Sequence, residues 1–236
     1  MTSAIPETRA VLLPGTGSDE IFVATVFAGP ARAAGIEAVT PRPPSGDQLA
    51  VGFLTLLDSL AAETPLIVGG ISFGAHLAAE WAVRNPDRCA GLLLALPAWH
   101  GEPAGAPASL AAKVSADLVE REGLEKALSL SVAGVAPWLA EELTRAWRRH
   151  GTGLAAGLRV AADRPAPTVD ELRGLDIPVG IAACTDDPVH PMAVAREWAA
   201  ALPRAVLRET TLTALGSDRE SLGRAAVEAW RVSHAS

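Results

Sequence analysis

The stretch Leu66-Ile67-Val68-Gly69-Gly70-Ile71-Ser72-Phe73-Gly74-Ala75-His76 decides the fold. Its first part is a short apolar run typical of a buried strand, and the alanine-rich segment 75–84 that follows favours a helix. Between them lies Gly70-x-Ser72-x-Gly74, in which small residues flank a serine, as a sharp turn from strand to helix requires. Such a turn would lift the Ser72 hydroxyl above a sheet edge and direct backbone N–H groups of the helix towards it. The alternative is a glycine-rich turn that only packs the helix on the strand.

The rest of the chain repeats this alternation of short apolar runs and longer amphipathic stretches, which predicts a mostly parallel, doubly wound α/β sheet. The predicted strands are 9–13, 36–39, 66–70, 90–96, 176–183 and 205–211. The predicted helices are 19–34, 47–63, 75–84, 191–202 and 219–232. Residues 109–163 are predicted to be helical throughout, in three or four segments broken at Gly123, Gly134/Pro137 and Gly151/Gly153. We therefore expect a core made of residues 1–99 and 166–236, with a helical cap inserted at 100–165.

Composition and charge exclude several classes of protein. The 236 residues are 49% hydrophobic and 20% charged, which is typical of a globular chain. The net charge is −7 and no basic stripe is visible, so nucleic acid is not an expected partner. No apolar run approaches the roughly 20 residues that span a bilayer, and residues 1–7 lack the pattern of a secretory signal. We expect a protein of the cytoplasm that does not bind membranes, as a monomer or small homo-oligomer.

The sequence contains no motif for a cofactor or a metal. Gly15-Thr16-Gly17 lacks the third glycine of a dinucleotide-binding loop, and no phosphate-binding loop is present. Cys89 and Cys184 lie in separate apolar segments, and two thiols are too few for a disulfide framework or a zinc site. The expected partner is therefore a small-molecule substrate alone.

From about residue 9 to 232 the chain resembles the α/β-hydrolase family, and Gly70-x-Ser72-x-Gly74 resembles the nucleophile elbow of that family. The resemblance implies that Ser72 is the nucleophile and that the backbone N–H groups of Thr16 and Phe73 form an oxyanion hole. The loop before Thr16 departs from the family pattern, because Pro14 stands where a histidine is common. Backbone donors do not depend on that side chain. Ser18 and Asp19 also fit a helix N-cap.

The loop Asp186-Asp187-Pro188-Val189-His190 resembles the acid loop of the family. Asp187 is the better match for the acid, with Asp186 as the alternative, and an acidic helix-capping turn would explain the same residues. The family histidine normally follows the last strand, but residues 212–220 contain none. Ser217 occupies that place, where Ser217-x-x-Glu220 also fits a capping box for the last helix.

Five histidines are candidates for the missing base, because a serine without a base is a poor nucleophile at neutral pH. His190 is the best of them, since it lies three residues beyond Asp187 at the expected active edge. His100 follows a strand end next to the cap and is second. His76 is expected to pack within the core, His150 to end a helix as a charged residue, and His234 to lie in the C-terminal tail.

These residues predict a serine hydrolase that cleaves an ester or thioester with a small to medium, largely apolar acyl group. Ser72, Asp187 and His190 would form a rearranged triad, or Ser72 and Asp187 an incomplete one without a base. Trp99, His100 and Trp138 would line the substrate pocket. Two alternatives stay open on the same scaffold. One is a non-catalytic protein that binds a small molecule, and the other is a cofactor-independent lyase or isomerase.

Overall fold

The computed structural model describes residues 8–235. The expectation about a secretory signal concerns residues 1–7 and lies outside this range. Six strands form one sheet: β1 (Thr8–Leu13), β2 (Ile36–Val39), β3 (Leu66–Ile71), β4 (Cys89–Ala95), β5 (Val179–Cys184) and β6 (Ala205–Thr210). Each lies within a few residues of the strand that the sequence predicts.

The sheet is parallel throughout and has the order β2-β1-β3-β4-β5-β6. The chain leaves β1 towards β2 on one side and then returns to β3 on the other, so the strand order reverses between β1 and β3. Ligands of open α/β sheets bind at such a point, outside the carboxyl ends of the strands. The loop after β1 and the turn after β3 meet there.

Helices cover both faces of the sheet, as the doubly wound prediction requires. The structure contains α1 (Glu20–Ala33), α2 (Leu49–Leu60), α3 (Phe73–Arg84), α4 (Pro107–Glu122), α5 (Leu124–Ser131), α6 (Pro137–His150), α7 (Leu154–Asp163), α8 (Val169–Arg173), α9 (Met192–Ala201), α10 (Leu212–Ser217) and α11 (Glu220–Ala235). Leu92 and Leu94 of β4 face the core with α2, α3 and α9, whereas Leu93 faces the core with α1 and α11. Side chains of one strand alternate between the two faces, so apolar residues at consecutive positions are explained by burial on both.

The predicted helical block is present as α4 to α7, which we call the inserted helices. They lie between β4 and β5, and their breaks fall at the glycines and proline that the sequence indicates. They have a small apolar core of their own, built around Trp147, Leu154 and Leu158. Whether residues 100–165 behave as a separate unit stays a prediction.

Two short helices, α8 and α10, were not predicted. Helix α8 begins with a capping box in which Thr168 and Glu171 bond each other's backbone N–H groups. The predicted capping box of Ser217 and Glu220 is wrong, because Ser217 ends α10 and its hydroxyl donates to the carbonyl of Thr213 at 3.0 Å. Asp218 accepts the N–H of Glu220 at 3.0 Å instead. No helix in the described range is long and apolar enough to cross a membrane.

Candidate active site

Ser72 lies in a strained turn between β3 and α3. Its backbone has φ 54° and ψ −114°, a left-handed conformation that residues with a Cβ rarely adopt. Two hydrogen bonds hold the turn: the Ser72 N–H donates to the Ala95 carbonyl at 2.8 Å, and the His76 N–H donates to the Ser72 carbonyl at 3.1 Å. Strain of this kind clusters at functional sites, where the surrounding structure fixes it. The Ser72 side chain is thereby held at the carboxyl edge of the sheet.

His190 is hydrogen-bonded to Ser72. Its Nε2 lies 2.9 Å from Ser72 Oγ, although 118 residues separate the two in sequence. The other ring nitrogen, Nδ1, lies 2.8 Å from Asp187 Oδ2. The three side chains form a continuous chain from hydroxyl to imidazole to carboxylate, with the histidine and acid on one short loop after β5. This geometry is that of a nucleophile, a base and a group that orients the base.

Asp187 is anchored by its own loop as well as by the imidazole. Its Oδ1 accepts the N–H groups of Val189 at 2.8 Å and of His190 at 3.1 Å. Burial alone would raise the pKa of Asp187, but hydrogen bonding to His190, the charge of that ring and the backbone donors together lower it below its ordinary value. Asp187 therefore stays ionised and can hold a proton on Nδ1 of His190. Nε2 is then free to accept the proton of Ser72.

The alternative acid, Asp186, has a different position. Its Oδ1 accepts the N–H of Leu212 at 2.6 Å, at the start of α10. That contact joins the loop after β5 to the loop after β6, and it leaves Asp187 as the carboxylate that meets the imidazole.

The two residues predicted to form the oxyanion hole, Thr16 and Phe73, lie on chain segments that adjoin Ser72, and their role as backbone donors stays a prediction. Phe73 is the first residue of α3, and the loop that carries Thr16 packs against the turn. A Cβ added to Gly15 would lie 3.4 Å from Ser72 Cβ, which shows how closely that loop approaches. Within residues 8–235, neither the Thr16 N–H nor the Phe73 N–H has a hydrogen-bond partner.

A cavity of about 530 Å³ opens above Ser72 and His190, between the sheet edge and the inserted helices. Its wall is mainly aliphatic and aromatic and includes one of the three predicted pocket residues, Trp138. Among the described residues that line the wall outside the candidate triad, Glu142 carries a charge, and it is paired with Arg145. Other lining residues are Phe22, Ile71, Leu96, Ala112, Leu139, Leu143, Ala146, Trp147, Leu158, Leu212 and Leu215.

The other two predicted pocket residues do not line this cavity. Trp99 is buried in the core, where its ring packs edge-on against His76 at 4.4 Å and its carbonyl accepts Trp198 Nε1 at 3.1 Å. His100 lies at the surface, with Nε2 3.1 Å from Glu197 Oε2. The chain after β4 thus runs towards α3 and α9 instead of over Ser72. The prediction that Trp99 and His100 line the pocket is corrected accordingly.

The remaining histidines occupy three separate environments. His76 is buried in the core, as expected, and its Nε2 accepts the Ala98 N–H at 2.9 Å. Burial, with a smaller effect of the nearby His190, lowers the pKa of His76 to about 3. His150 ends α6 and contacts the Ser18 carbonyl at 2.8 Å, and His234 stacks on Trp230 within α11.

Sequence reasoning missed most of the apolar cavity wall. Leu139, Leu143 and Ala146 follow one another at spacings of four and three along α6, which places them on one helix face. That periodicity could have identified the face. It could not show whether the face meets a ligand cavity or the protein core.

Comparison with known proteins agrees with this architecture. A family model described as serine aminopeptidase, S33, an α/β-hydrolase family, matches residues 44–213. The chain therefore belongs to this family of α/β-hydrolases. No curated protein matches the sequence significantly.

Several solved structures share this fold at low sequence identity. An enol-lactonase from Burkholderia xenovorans LB400 is 20% identical with a TM-score of 0.71, and the alignment covers 97% of this chain and 92% of that one. A thermophilic esterase from Thermogutta terrifontis is 18% identical with a TM-score of 0.66, and the alignment covers 96% of this chain and 90% of the esterase. MenH from S. aureus is 15% identical with a TM-score of 0.70, and the alignment covers 98% of this chain and 96% of MenH. At these identities the likeness concerns the fold.

Proposed function

We propose that the protein is a serine hydrolase of carboxylic esters or thioesters with a small to medium, largely apolar acyl group. The observation that carries the proposal is the chain of hydrogen bonds from Ser72 Oγ through His190 to Asp187, at 2.9 and 2.8 Å, at the base of an apolar cavity. Membership of a hydrolase family supports it.

In the proposed reaction, Ser72 Oγ attacks the acyl carbon while His190 Nε2 takes the hydroxyl proton. The carbonyl π electrons move to oxygen, and the resulting oxyanion accepts hydrogen bonds from the N–H groups of Thr16 and Phe73. When the intermediate collapses, the bond to the alcohol or thiol breaks and His190 gives the proton to that leaving group. Water then attacks the acyl-enzyme with His190 as base, and the acid leaves as Ser72 regains its proton.

The cavity explains the choice of acyl group. An apolar chain or ring gains free energy when it leaves water for such a wall, by about 25 cal/mol for each Å² of apolar surface buried. A charged acyl group would lose its hydration without finding a free partner, because Glu142 already bonds Arg145.

The test measures hydrolysis of 4-nitrophenyl esters and acyl thioesters of graded chain length, together with the mass of the protein after treatment with a fluorophosphonate. We expect turnover by the wild type and one adduct, located on Ser72. Ser72→Ala should abolish both the turnover and the adduct. His190→Ala should lower kcat by about 10²–10⁴-fold. Ser217→Ala should leave the turnover and the adduct unchanged.

A wild type that binds acyl compounds without turnover or adduct would favour the alternative of a non-catalytic binding protein. Conversion of an acyl compound that does not depend on Ser72 would favour a lyase or isomerase.

A further inference from the structure

Asp19 is a buried carboxylate with more partners than a helix cap needs. It is 1% exposed and caps α1, where its Oδ1 accepts the N–H groups of Ile21 and Phe22, both at 3.1 Å. Arg145 of α6 also binds it through two nitrogens, Nε to Oδ2 at 2.9 Å and Nη2 to Oδ1 at 2.8 Å. Arg149 lies 3.5 Å from Oδ2. A capping aspartate at a surface helix needs no guanidinium, so the cap alone does not explain this arrangement.

The electrostatics of the pair keep both groups charged. Burial by itself would raise the pKa of Asp19, but the hydrogen bonds from Arg145 and Phe22, with the charges of Arg145 and Arg149, lower it below its ordinary value. The same contact raises the pKa of Arg145. A planar guanidinium that binds a carboxylate through two nitrogens fixes orientation as well as distance.

Helix α6 contacts three consecutive residues of the loop that ends at Asp19. Trp147 packs on Gly17, since a Cβ at Gly17 would lie 3.1 Å from the indole Nε1. His150 Nε2 lies 2.8 Å from the Ser18 carbonyl oxygen, and Arg145 binds Asp19. The residue directly before these three is Thr16, whose N–H is a proposed oxyanion donor. The loop is therefore held by α6 from one side and by the turn at Ser72 from the other.

We propose that Arg145 is a positioning residue for the oxyanion hole: by fixing Asp19 against α6 it aims the Thr16 N–H at the site where the oxyanion forms. The proposal rests on the proposed function. Arg145 itself touches no reacting atom. It also binds Glu142 of the cavity wall, but its effect on the oxyanion passes through the backbone of residues 16–19. A donor that is misplaced by a fraction of an ångström stabilises the developing charge less, while the bound ester is scarcely affected.

The kinetic consequence differs from that of a general loss of structure. Stabilisation that exists only in the transition state appears in kcat, whereas loss of uniform binding appears in KM. Arg148 supplies a matched control, because it lies on the same helix and binds Glu125 through two nitrogens at 3.0 and 2.7 Å, but in an exposed pair.

The experiment compares Arg145→Met, Arg145→Lys and Arg148→Met with the wild type, and normalises each by titration of Ser72 with a fluorophosphonate. It measures kcat and KM for the preferred ester, and the inhibition constant of a matching trifluoromethyl ketone, whose adduct carries an oxyanion. For Arg145→Met we expect kcat to fall roughly 10- to 100-fold with KM within threefold, and inhibition to weaken in proportion. For Arg145→Lys we expect kcat and the inhibition constant to lie between those of the wild type and those of Arg145→Met. For Arg148→Met both quantities should match the wild type within twofold.

Two results would overturn the inference: an unchanged kcat per titrated site in Arg145→Met, or a fall in kcat without weaker inhibition by the trifluoromethyl ketone. Arg145→Lys retains a cation beside Asp19, so it answers the same question if the methionine variant does not fold. A wild type without Ser72-dependent ester turnover would instead refute the proposed function, and it would refute the proposed role of Arg145 as well. If turnover is present and the variants retain kcat, the inference about Arg145 alone is wrong.

Discussion

At the scale of single residues, the position of the candidate base distinguishes this chain from the family pattern. The histidine expected after β6 is replaced by Ser217, and His190 reaches Ser72 Oγ from the loop after β5. Because Asp187 lies three residues before His190, one short loop holds both groups, and its backbone N–H groups orient the acid. The proposed base thus depends on the conformation of one loop instead of the packing of two.

The first prediction concerns Ser217. From the sequence, a histidine at this position looks like a restoration of the missing base. The structure places Ser217 at the exposed end of α10, bonded to Thr213, while His190 already occupies the hydrogen-bonding position on Ser72. We expect Ser217→His to leave kcat within about twofold of the wild type, and not to restore activity to His190→Ala, since the effect of a general base depends on hydrogen-bond reach.

Steady-state assays of Ser217→His, His190→Ala and the double variant on one ester would check this. Recovery of the double variant to more than a tenth of the wild-type kcat would show that the loop after β6 can still supply a base. The candidate base itself would then need to be reassigned.

Much of this site could be predicted from the residues, for reasons that are local. The turn at Ser72 needs small neighbours, and Asp187 and His190 are close in sequence, so the pattern contains that information. The positions of Trp99 and His100 depend on the direction in which the chain leaves β4, which is set by the packing of Trp99 on His76 and Trp198. No local sequence signal encodes that direction.

At the scale of elements, the turn between β3 and α3 is possible because two backbones cross closely at Gly74. A Cβ there would collide with the carbonyl oxygen of Leu13 and would lie 2.8 Å from that of Pro14. The glycine therefore lets α3 approach the end of β1, which brings the loop of Thr16 next to Ser72. The pattern of glycine around the serine is a packing requirement between β1 and α3 as well as a requirement of the turn.

The second prediction follows from this contact. We expect Gly74→Ala to lower the free energy of unfolding by about 3 kcal/mol or more, because backbone atoms cannot yield as a flexible side chain can. Gly157→Ala in α7 is the matched control, since its Cβ would make ordinary contacts of 3.7 Å, and alanine favours a helix. Urea titration of both variants would measure the difference. A Gly74→Ala protein as stable as Gly157→Ala would show that β1 and α3 separate easily.

The inserted helices show where element prediction succeeds and where it ends. Their boundaries follow glycine and proline, because the chain must change direction there. The short helices α8 and α10 have only 5 and 6 residues, too few for a periodic apolar pattern. The way α6 lies on residues 16–19 depends on Arg145 and Asp19, which are 126 residues apart in sequence. A local sequence pattern cannot predict a contact between residues so far apart in the chain.

At the scale of the whole molecule, the candidate site joins three separate regions of the chain. The loop after β1, the turn after β3 and the loop after β5 meet at one sheet edge, because all six strands run in the same direction. Arg164, at the end of the inserted helices, binds Glu80 of α3 through two nitrogens at 2.7 Å each. The inserted helices are thereby tied both to the loop at residues 16–19 and to the helix that follows Ser72.

The last prediction is the pH dependence of global stability that His76 imposes. In the unfolded chain His76 titrates near its ordinary pKa of 6.5, whereas in the core its pKa is about 3. Between these values the unfolded chain binds a proton that the folded chain excludes, so the free energy of unfolding decreases as the pH falls below about 6.5. The decrease from His76 is about 1.4 kcal/mol for each pH unit, or roughly 2 kcal/mol between pH 7 and pH 5.

The aspartates act in the same direction but at lower pH. The folded pKa values of Asp19 and Asp187 lie below their ordinary value of 3.8, so their contribution is present above that value and is lost as the pH falls through the folded values. Urea titration at pH 7 and pH 5 therefore avoids the pH range in which Asp19 and Asp187 lose their contribution. In His76→Gln, the side-chain oxygen can accept the Ala98 N–H but takes up no proton, so we expect the difference between the two pH values to shrink by roughly 2 kcal/mol. An unchanged difference in that variant would mean that His76 takes up its proton in the folded protein as readily as in the unfolded chain.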